Sequence, residues 1–290
     1  MKGAATYGVF DGPRLIDLGV RLREHAPDLR TLIALDMLHV ARNIAGSGCE
    51  AVDLGEVRFL PVIPEPALIA CVGLNYADHV RETGRQIESR PQAPTLFLRT
   101  ASSQVGHDEE IPLPPESTAL DFEGEIAVVI GKGGRRIAAA DAGKHIAGYA
   151  CYNDASIRDW QTAASQWTAG KNFWRTGAFG PFMVTADEIA PGQVMTLTTR
   201  LNGKEMQRTT TDLLIHDIPS LIAYISTFTP LAPGDVIVTG TPGGVGFKRQ
   251  PPVYMQPGDV VEVEVDAIGV LRNRIAAERR TEGRPLNPRA

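Results

Sequence analysis

Glu123 and Glu125 stand one residue apart in the run DFEGEIAVVIG at residues 121–131, and that spacing sets a chemical problem. In an extended chain, residues i and i+2 face the same way, so the two carboxylates lie side by side. The apolar residues Ile126, Ala127, Val128, Val129 and Ile130 follow directly, which suggests burial, and burial makes repulsion between like charges more costly. A hard divalent cation would offset the repulsion. A third oxygen donor is at hand in Asp154, at the end of the strand-like run IAGYACYND. Three carboxylates would leave about half of an octahedron open to water or substrate. Taken alone, however, the glutamate pair reads more simply as the solvent face of an edge strand, with Phe122, Ile126 and Val128 inward. Asp154 alone fits a turn equally well.

Two further runs carry chemistry. In GLNYADHVRETG, His79 and Glu82 are three residues apart, so on a helical turn they share a face. Glu82 could then orient the imidazole, and the dyad could take a proton from water. A bare His-x-x-Glu also fits a surface contact, and no second histidine completes a zinc-type pattern. In VTGTPGGVG, Gly240 and Thr241 follow an apolar strand and leave backbone N–H groups open to an anion, though a plain turn is the simpler reading. Walker and dinucleotide glycine patterns are absent, as is a GxSxG nucleophile elbow.

The elements that must position these residues are mostly strands. Three prolines in LPVIPEP (Pro61, Pro64, Pro66) divide a small α/β segment, residues 1–66, from a β-rich segment, residues 67–275. The first holds one expected helix, DLRTLIALDMLHVARNIAG, stopped by Gly46. The second reads as many strands with two helices, one from about Ser156 and one over LIHDIPSLIAYISTF. Ser156 and Asp159 are spaced as a capping pair, and Asn202-Gly203 signals a hairpin. Strands and helices do not alternate, so a mixed α+β, β-rich, rolled or sandwiched sheet is expected over a doubly wound one. Residues 276–290 read as a charged, solvated tail.

Composition narrows the function classes. The 290 residues are 43% hydrophobic and 22% charged, ordinary for a water-soluble globular chain. A net charge of -5, with Lys and Arg scattered, gives no footprint for nucleic acid. There is no apolar run of membrane-spanning length and no signal-peptide pattern at the start. Three distant cysteines, Cys49, Cys71 and Cys151, fit neither a disulfide framework nor a CxxC metal site, so a reducing cytoplasm is expected.

In order along the chain, GLNYADHVRE, PTLFLR, DFEGEIAVVIG, IAGYACYNDASIRDWQ, GKNFWRTGAFGPFMV, VTGTPGGVG and PGDVVEVEVDAIGVLRN resemble the fumarylacetoacetate hydrolase family over residues 67–274. The resemblance implies the family's β-roll fold, a Mg²⁺ or Mn²⁺ ion on Glu123, Glu125 and Asp154, and frequent homodimers. It implies His79 and Glu82 as the catalytic dyad, on a segment that closes as a lid in relatives. It also places Arg158, Gln161, Lys171 and the Gly240–Thr241 backbone at substrate. The additional aspartate ligand of the larger fumarylacetoacetases has no counterpart in the sequence, which points to the shorter bacterial-type branch. The implied activity is metal-dependent C–C hydrolysis of an acylpyruvate or related 2,4-dioxo acid, with cleavage through an enolate. Decarboxylation of an oxaloacetate-like acid and keto–enol isomerisation are the family's alternatives, and a non-catalytic, metal-stabilised dimer is the third.

Overall fold

The computed structural model describes residues 5–11, 14–46, 50–84, 86 and 92–279. Cys49 and most of the proposed tail fall outside them, while the last strand runs on to Ala277, past the expected boundary at 275.

The N-terminal segment pairs strands β1 (Gly8–Asp11) and β2 (Arg14–Asp17) as a hairpin and adds three short helices: α1 (Gly19–Leu22), α2 (Leu29–Ala34) and α3 (Leu38–Ala45). The single helix expected over residues 28–46 is therefore two. Asp28 caps α2 by accepting from Thr31 N at 2.7 Å, and Asp36 then adopts φ 56°. A left-handed residue cannot continue a right-handed helix, and aspartate is among the few that tolerate it. The break turns the apolar positions two ways. Leu32 joins the segment's own core with Tyr7, Ile16 and Leu18, while Ile33 reaches into the main sheet's core.

The remainder folds around two sheets. Strands β3 (Ile69–Gly73), β4 (Thr95–Leu98), β5 (Gln104–Val105), β8 (Gly124–Ile130), β9 (Ile146–Asp154), β11 (Gly177–Thr185) and β14 (Val236–Val238) form a seven-stranded sheet in the order β4-β3-β14-β8-β9-β11-β5. Strands β6 (Glu110–Leu113), β12 (Thr196–Leu201), β13 (Lys204–Thr210), β15 (Val260–Val265) and β16 (Gly269–Ala277) form a five-stranded one in the order β13-β12-β15-β16-β6. β7 (Leu120–Asp121) and β10 (Ser156–Ile157) pair antiparallel as a separate two-stranded piece. The Asn202-Gly203 hairpin forms between β12 and β13, with both turn residues at positive φ. Between the sheets Ile126 and Cys151 pack against Leu197, Val261, Val263 and Leu271. Helix α7 (Ile218–Phe228) covers another part of the large sheet with Leu221, Ile222 and Ile225. It begins at Ile218, later than expected, because Asp217 caps it from Ser220 N and Pro219 suits its first turn.

β8 is thus the central strand of the large sheet and is buried along its whole length. Its alternate residues Ala127 and Val129 face the cluster completed by Ile33 and Ile63 of the N-terminal segment. Glu125, two residues before Ala127, is on that same face. Among the described residues no helix is long and apolar enough to cross a membrane.

Candidate active site

The two glutamates and Asp154 meet because their strands are neighbours. β8 and β9 run antiparallel with Gly124 opposite Asn153 and Glu125 opposite Tyr152, and Asp154 N donates to Glu123 O at 2.8 Å. One carboxylate oxygen from each of Glu123, Glu125 and Asp154 lies within 4.8 Å of the others. Their relative exposures are 5%, 1% and 0%, which rules out a solvent-facing pair on an edge strand.

Basic side chains enclose the cluster. α6 (Thr168–Lys171) ends on Lys171, whose Nζ donates to Glu123 Oε2 and Asp154 Oδ2, both at 2.6 Å. α5 (Arg158–Thr162) begins with Arg158, which pairs with Glu123 Oε1 at 2.5 Å and with Asp121 Oδ2 at 2.8 Å. Gln161, one turn on, accepts from Arg158 Nη1 at 2.8 Å. Arg99, at the end of PTLFLR, is fully buried and pairs with Asp154 Oδ1. Gly240 N donates to Glu125 Oε2 at 2.5 Å. That N–H is therefore engaged by the protein and is not open to an external anion, which in the sequence is the alternative to a plain turn. Gly240 has φ 105°, and a Cβ there would meet Asn75 Cβ at 2.7 Å, so the approach to Glu125 needs glycine. Thr241 Oγ1 donates to Gly124 O, which anchors the loop to the glutamate strand.

The expected Ser156–Asp159 capping pair does not form. Ser156 Oγ donates instead to Asp154 O, which ties down the strand end, and Asp159 accepts from Ser117 Oγ at 2.7 Å. α5 starts after β10, so the strand pairing claims Ser156 before it could cap.

Four buried carboxylates (Asp121, Glu123, Glu125, Asp154) face three buried cations (Arg99, Arg158, Lys171). The surplus settles on Glu125. Burial, with Asp154 and Glu123 beside it, pushes its carboxyl well above the usual range, despite Lys171 and the Gly240 N–H. Glu123 goes the other way: burial opposes its charge, but Arg158 and Lys171 hold it down at about 2. Without a cation the repulsion within the pair is eased because the basic side chains hold Glu123 ionised while burial and its neighbours push Glu125 towards its neutral form. A divalent ion fits this donor set. Three hard oxygens converge, and each carboxylate oxygen already bonded to an N–H retains a second lone pair. Cation binding would favour the ionised form of Glu125.

His79 and Glu82 lie on α4 (Ala77–Glu82), with His79 Nδ1 3.3 Å from Glu82 Oε2. Glu82 Oε1 accepts from Gly244 N at 2.9 Å, so the dyad is fastened to the glycine-rich loop. A carboxylate facing Nδ1 favours the tautomer with its proton there, which leaves the Nε2 lone pair to accept one. A cavity of about 190 Å³ is lined by His79, Glu123, Glu125, Arg158, Lys171 and Thr241, and Gln161 also reaches it. All but three of the site residues singled out from the sequence thus share one cavity wall, and Glu82 meets it only through its contact with His79. Asp154 lies behind Lys171 and Gly240 behind Glu125.

Sequence reasoning missed Asp121 and Arg99. Asp121 accepts from Arg158 Nε and from the N–H groups of Gly246 and Phe247, locking the guanidinium to the glycine-rich loop. A signal existed: Asp121, Glu123 and Glu125 form a period-two acidic row leading into an apolar strand. Arg99, a charge ending the apolar run PTLFLR, gave a weaker one. Replacing Arg99 by Met is expected to cost about 3–5 kcal/mol, because Asp154 stays buried with half its compensation gone. A denaturant midpoint unchanged from the parent protein would show that the pair contributes nothing.

Comparisons with known proteins place the chain among relatives. The family profile described as "Fumarylacetoacetate (FAA) hydrolase C-terminal" matches residues 68–276. "Oxaloacetate tautomerase FAHD2A, mitochondrial" from Bos taurus is 41% identical over 240 residues, 82% of this chain and 76% of that one. Among solved structures, a fumarylacetoacetate hydrolase from Exiguobacterium antarcticum superposes with TM-score 0.80 at 33% identity, covering 96% of this chain and 97% of that one. A maleylpyruvate hydrolase from Sphingobium sp. SYK-6, solved with manganese(II) and pyruvate, superposes with TM-score 0.79 at 27% identity, covering 96% and 98%.

Proposed function

This chain belongs to the fumarylacetoacetate hydrolase family, and from that premise we propose that it is a divalent-metal-dependent enzyme interconverting the keto and enol forms of a small, oxaloacetate-type 2-oxo acid. The observation that carries this reading is a buried three-carboxylate cluster opening onto the same cavity as a carboxylate-oriented histidine. The cavity, about 190 Å³, is smaller than the ~300 Å³ at which sites for drug-sized ligands begin, which favours a compact substrate. The relative that is an oxaloacetate tautomerase supports the choice of bond.

A cation on Glu123, Glu125 and Asp154 would supply Lewis-acid stabilisation of negative charge on the 2-oxo oxygen. The chain's own groups do the rest. Lys171 and Arg158 hold the substrate's anionic oxygens and keep Glu123 ionised. His79 Nε2 removes a proton from carbon 3, and the C–H electron pair moves into the new C2–C3 double bond while the carbonyl pair moves to oxygen. The imidazolium, steadied by Glu82, then delivers the proton to that oxygen, and the reverse sequence restores the ketone.

The same dyad favours a second reading, hydrolysis of an acylpyruvate. There His79 takes a proton from water as it attacks the distal carbonyl; the C–C bond breaks, leaving a carboxylic acid and the enolate of pyruvate. The likeness to the maleylpyruvate hydrolase supports it.

One assay discriminates. With Mg²⁺ or Mn²⁺ present, oxaloacetate is expected to lose its enol absorbance faster than the uncatalysed rate without releasing pyruvate. Pyruvate released from an acylpyruvate, with no effect on oxaloacetate, establishes the second reading; pyruvate released from oxaloacetate makes the enzyme a decarboxylase. Full activity after EDTA treatment defeats all three.

A further inference from the structure

Three cationic side chains line the cavity, and two are neutralised by the protein itself. Arg158 pairs with Asp121 and Glu123, and Lys171 pairs with Glu123 and Asp154. The third, Lys248, makes no ion pair among the described residues. Its ammonium lies 4.9 Å from the centroid of the Phe247 ring, a contact that limits its freedom without cancelling its charge.

The Phe247 platform is itself fixed. Its backbone N–H donates to Asp121 Oδ2 at 3.0 Å, and the Arg158 guanidinium carbon lies 4.2 Å from the same ring centroid. Arg158 Nη2 is buried and has no hydrogen-bond partner among the described residues. A buried donor left unmatched is costly and marks a place for an acceptor. Around one aromatic ring, then, lie an ammonium with no ion pair among the described residues and a guanidinium that, although paired with Glu123 and Asp121, keeps one buried N–H unmatched.

We propose that Lys248, seated on Phe247, selects substrates that carry a second carboxylate, remote from the 2-oxo acid end. A carboxylate has the charge and the acceptor pairs to satisfy both donors, whereas a methyl or neutral acyl end would leave them desolvated and unmatched. The assignment rests on the oxaloacetate-type reading of the site and adds to it the residue that reads the substrate's remote carboxylate. It also makes Lys248 a specificity residue that takes no part in proton transfer.

The test is calorimetric binding to the full-length, Mg²⁺-loaded protein of oxaloacetate and of 2-oxobutanoate, which has the same carbon count without the second carboxylate. The parent protein is expected to prefer oxaloacetate by about tenfold or more, the effect of one charged hydrogen bond. In Lys248→Gln that preference should collapse towards one, and in Lys248→Arg it should persist. Unchanged preference in Lys248→Gln, equal weakening of both acids, or no preference in the parent overturns the assignment. Turnover in the same samples separates the two readings. A protein that prefers oxaloacetate through Lys248 yet isomerises, cleaves or decarboxylates nothing leaves this assignment standing and removes the enzymatic one.

Discussion

Glu125→Gln is expected to lower turnover of any 2-oxo acid by at least about 10³-fold, the loss of several kcal/mol of cationic charge stabilisation. The fold should survive, for a reason peculiar to this position. In the cation-free protein Glu125 is pushed towards its neutral form, because burial and its neighbours Asp154 and Glu123 oppose its charge. An amide reproduces that neutral state in nearly the same shape, and its carbonyl can still accept from Gly240 N, as Glu125 Oε2 does. What it cannot supply is the anionic ligand. Thermal melting without metal should therefore match the parent, while Mn²⁺ affinity falls sharply. A variant that binds Mn²⁺ as the parent does would sink the assignment of Glu125 as a ligand, whatever its activity.

His79→Ala should reduce kcat by about 10²–10⁴-fold, the usual contribution of a positioned acid–base group. Unlike the Glu125 variant, it should keep its Mn²⁺ affinity, since His79 is not among the three clustered carboxylates. The more informative change is Glu82→Gln. Glu82 now accepts from Gly244 N through Oε1 and faces His79 Nδ1 through Oε2. If the amide oxygen keeps the Gly244 contact, its NH₂ must face the imidazole. Nδ1 then becomes the acceptor, and the proton moves to Nε2, where a lone pair is needed. Glu82→Gln should thus lose nearly as much activity as His79→Ala while leaving folding unaffected. If the variant retained more than about half the parent kcat, Glu82 would be a structural tether and not the residue that sets the tautomer.

Much of the site was legible because its chemistry is concentrated in short runs. Glu123 and Glu125 share a face by strand periodicity, and His79 and Glu82 share one by helical periodicity; both relations are local. Elements with strong local signals also formed where expected, such as the Asn202-Gly203 hairpin and the strands around residues 124–130 and 146–154. Local reading failed where a single residue's conformation or a distant partner overrode the pattern. Asp36 at φ 56° split one expected helix into two, and pairing of β10 with β7 took Ser156 from its capping role. Gly240 offered an N–H that the sequence could not know was claimed by Glu125, 115 positions away.

By itself, the sequence determined the kinds of group present and which of them travel together on one strand or one turn, along with the ordered motifs that mark the family. Only the tertiary structure decided the protonation and pairing of those groups. The charge state of a buried carboxylate depends on every charge within a few ångströms, and here those charges come from α5, α6, the end of PTLFLR and the glycine-rich loop. The same sum holds Glu123 ionised, pushes Glu125 towards its neutral form, and leaves Lys248 as the cavity-lining cation with no protein carboxylate among the described residues to answer it.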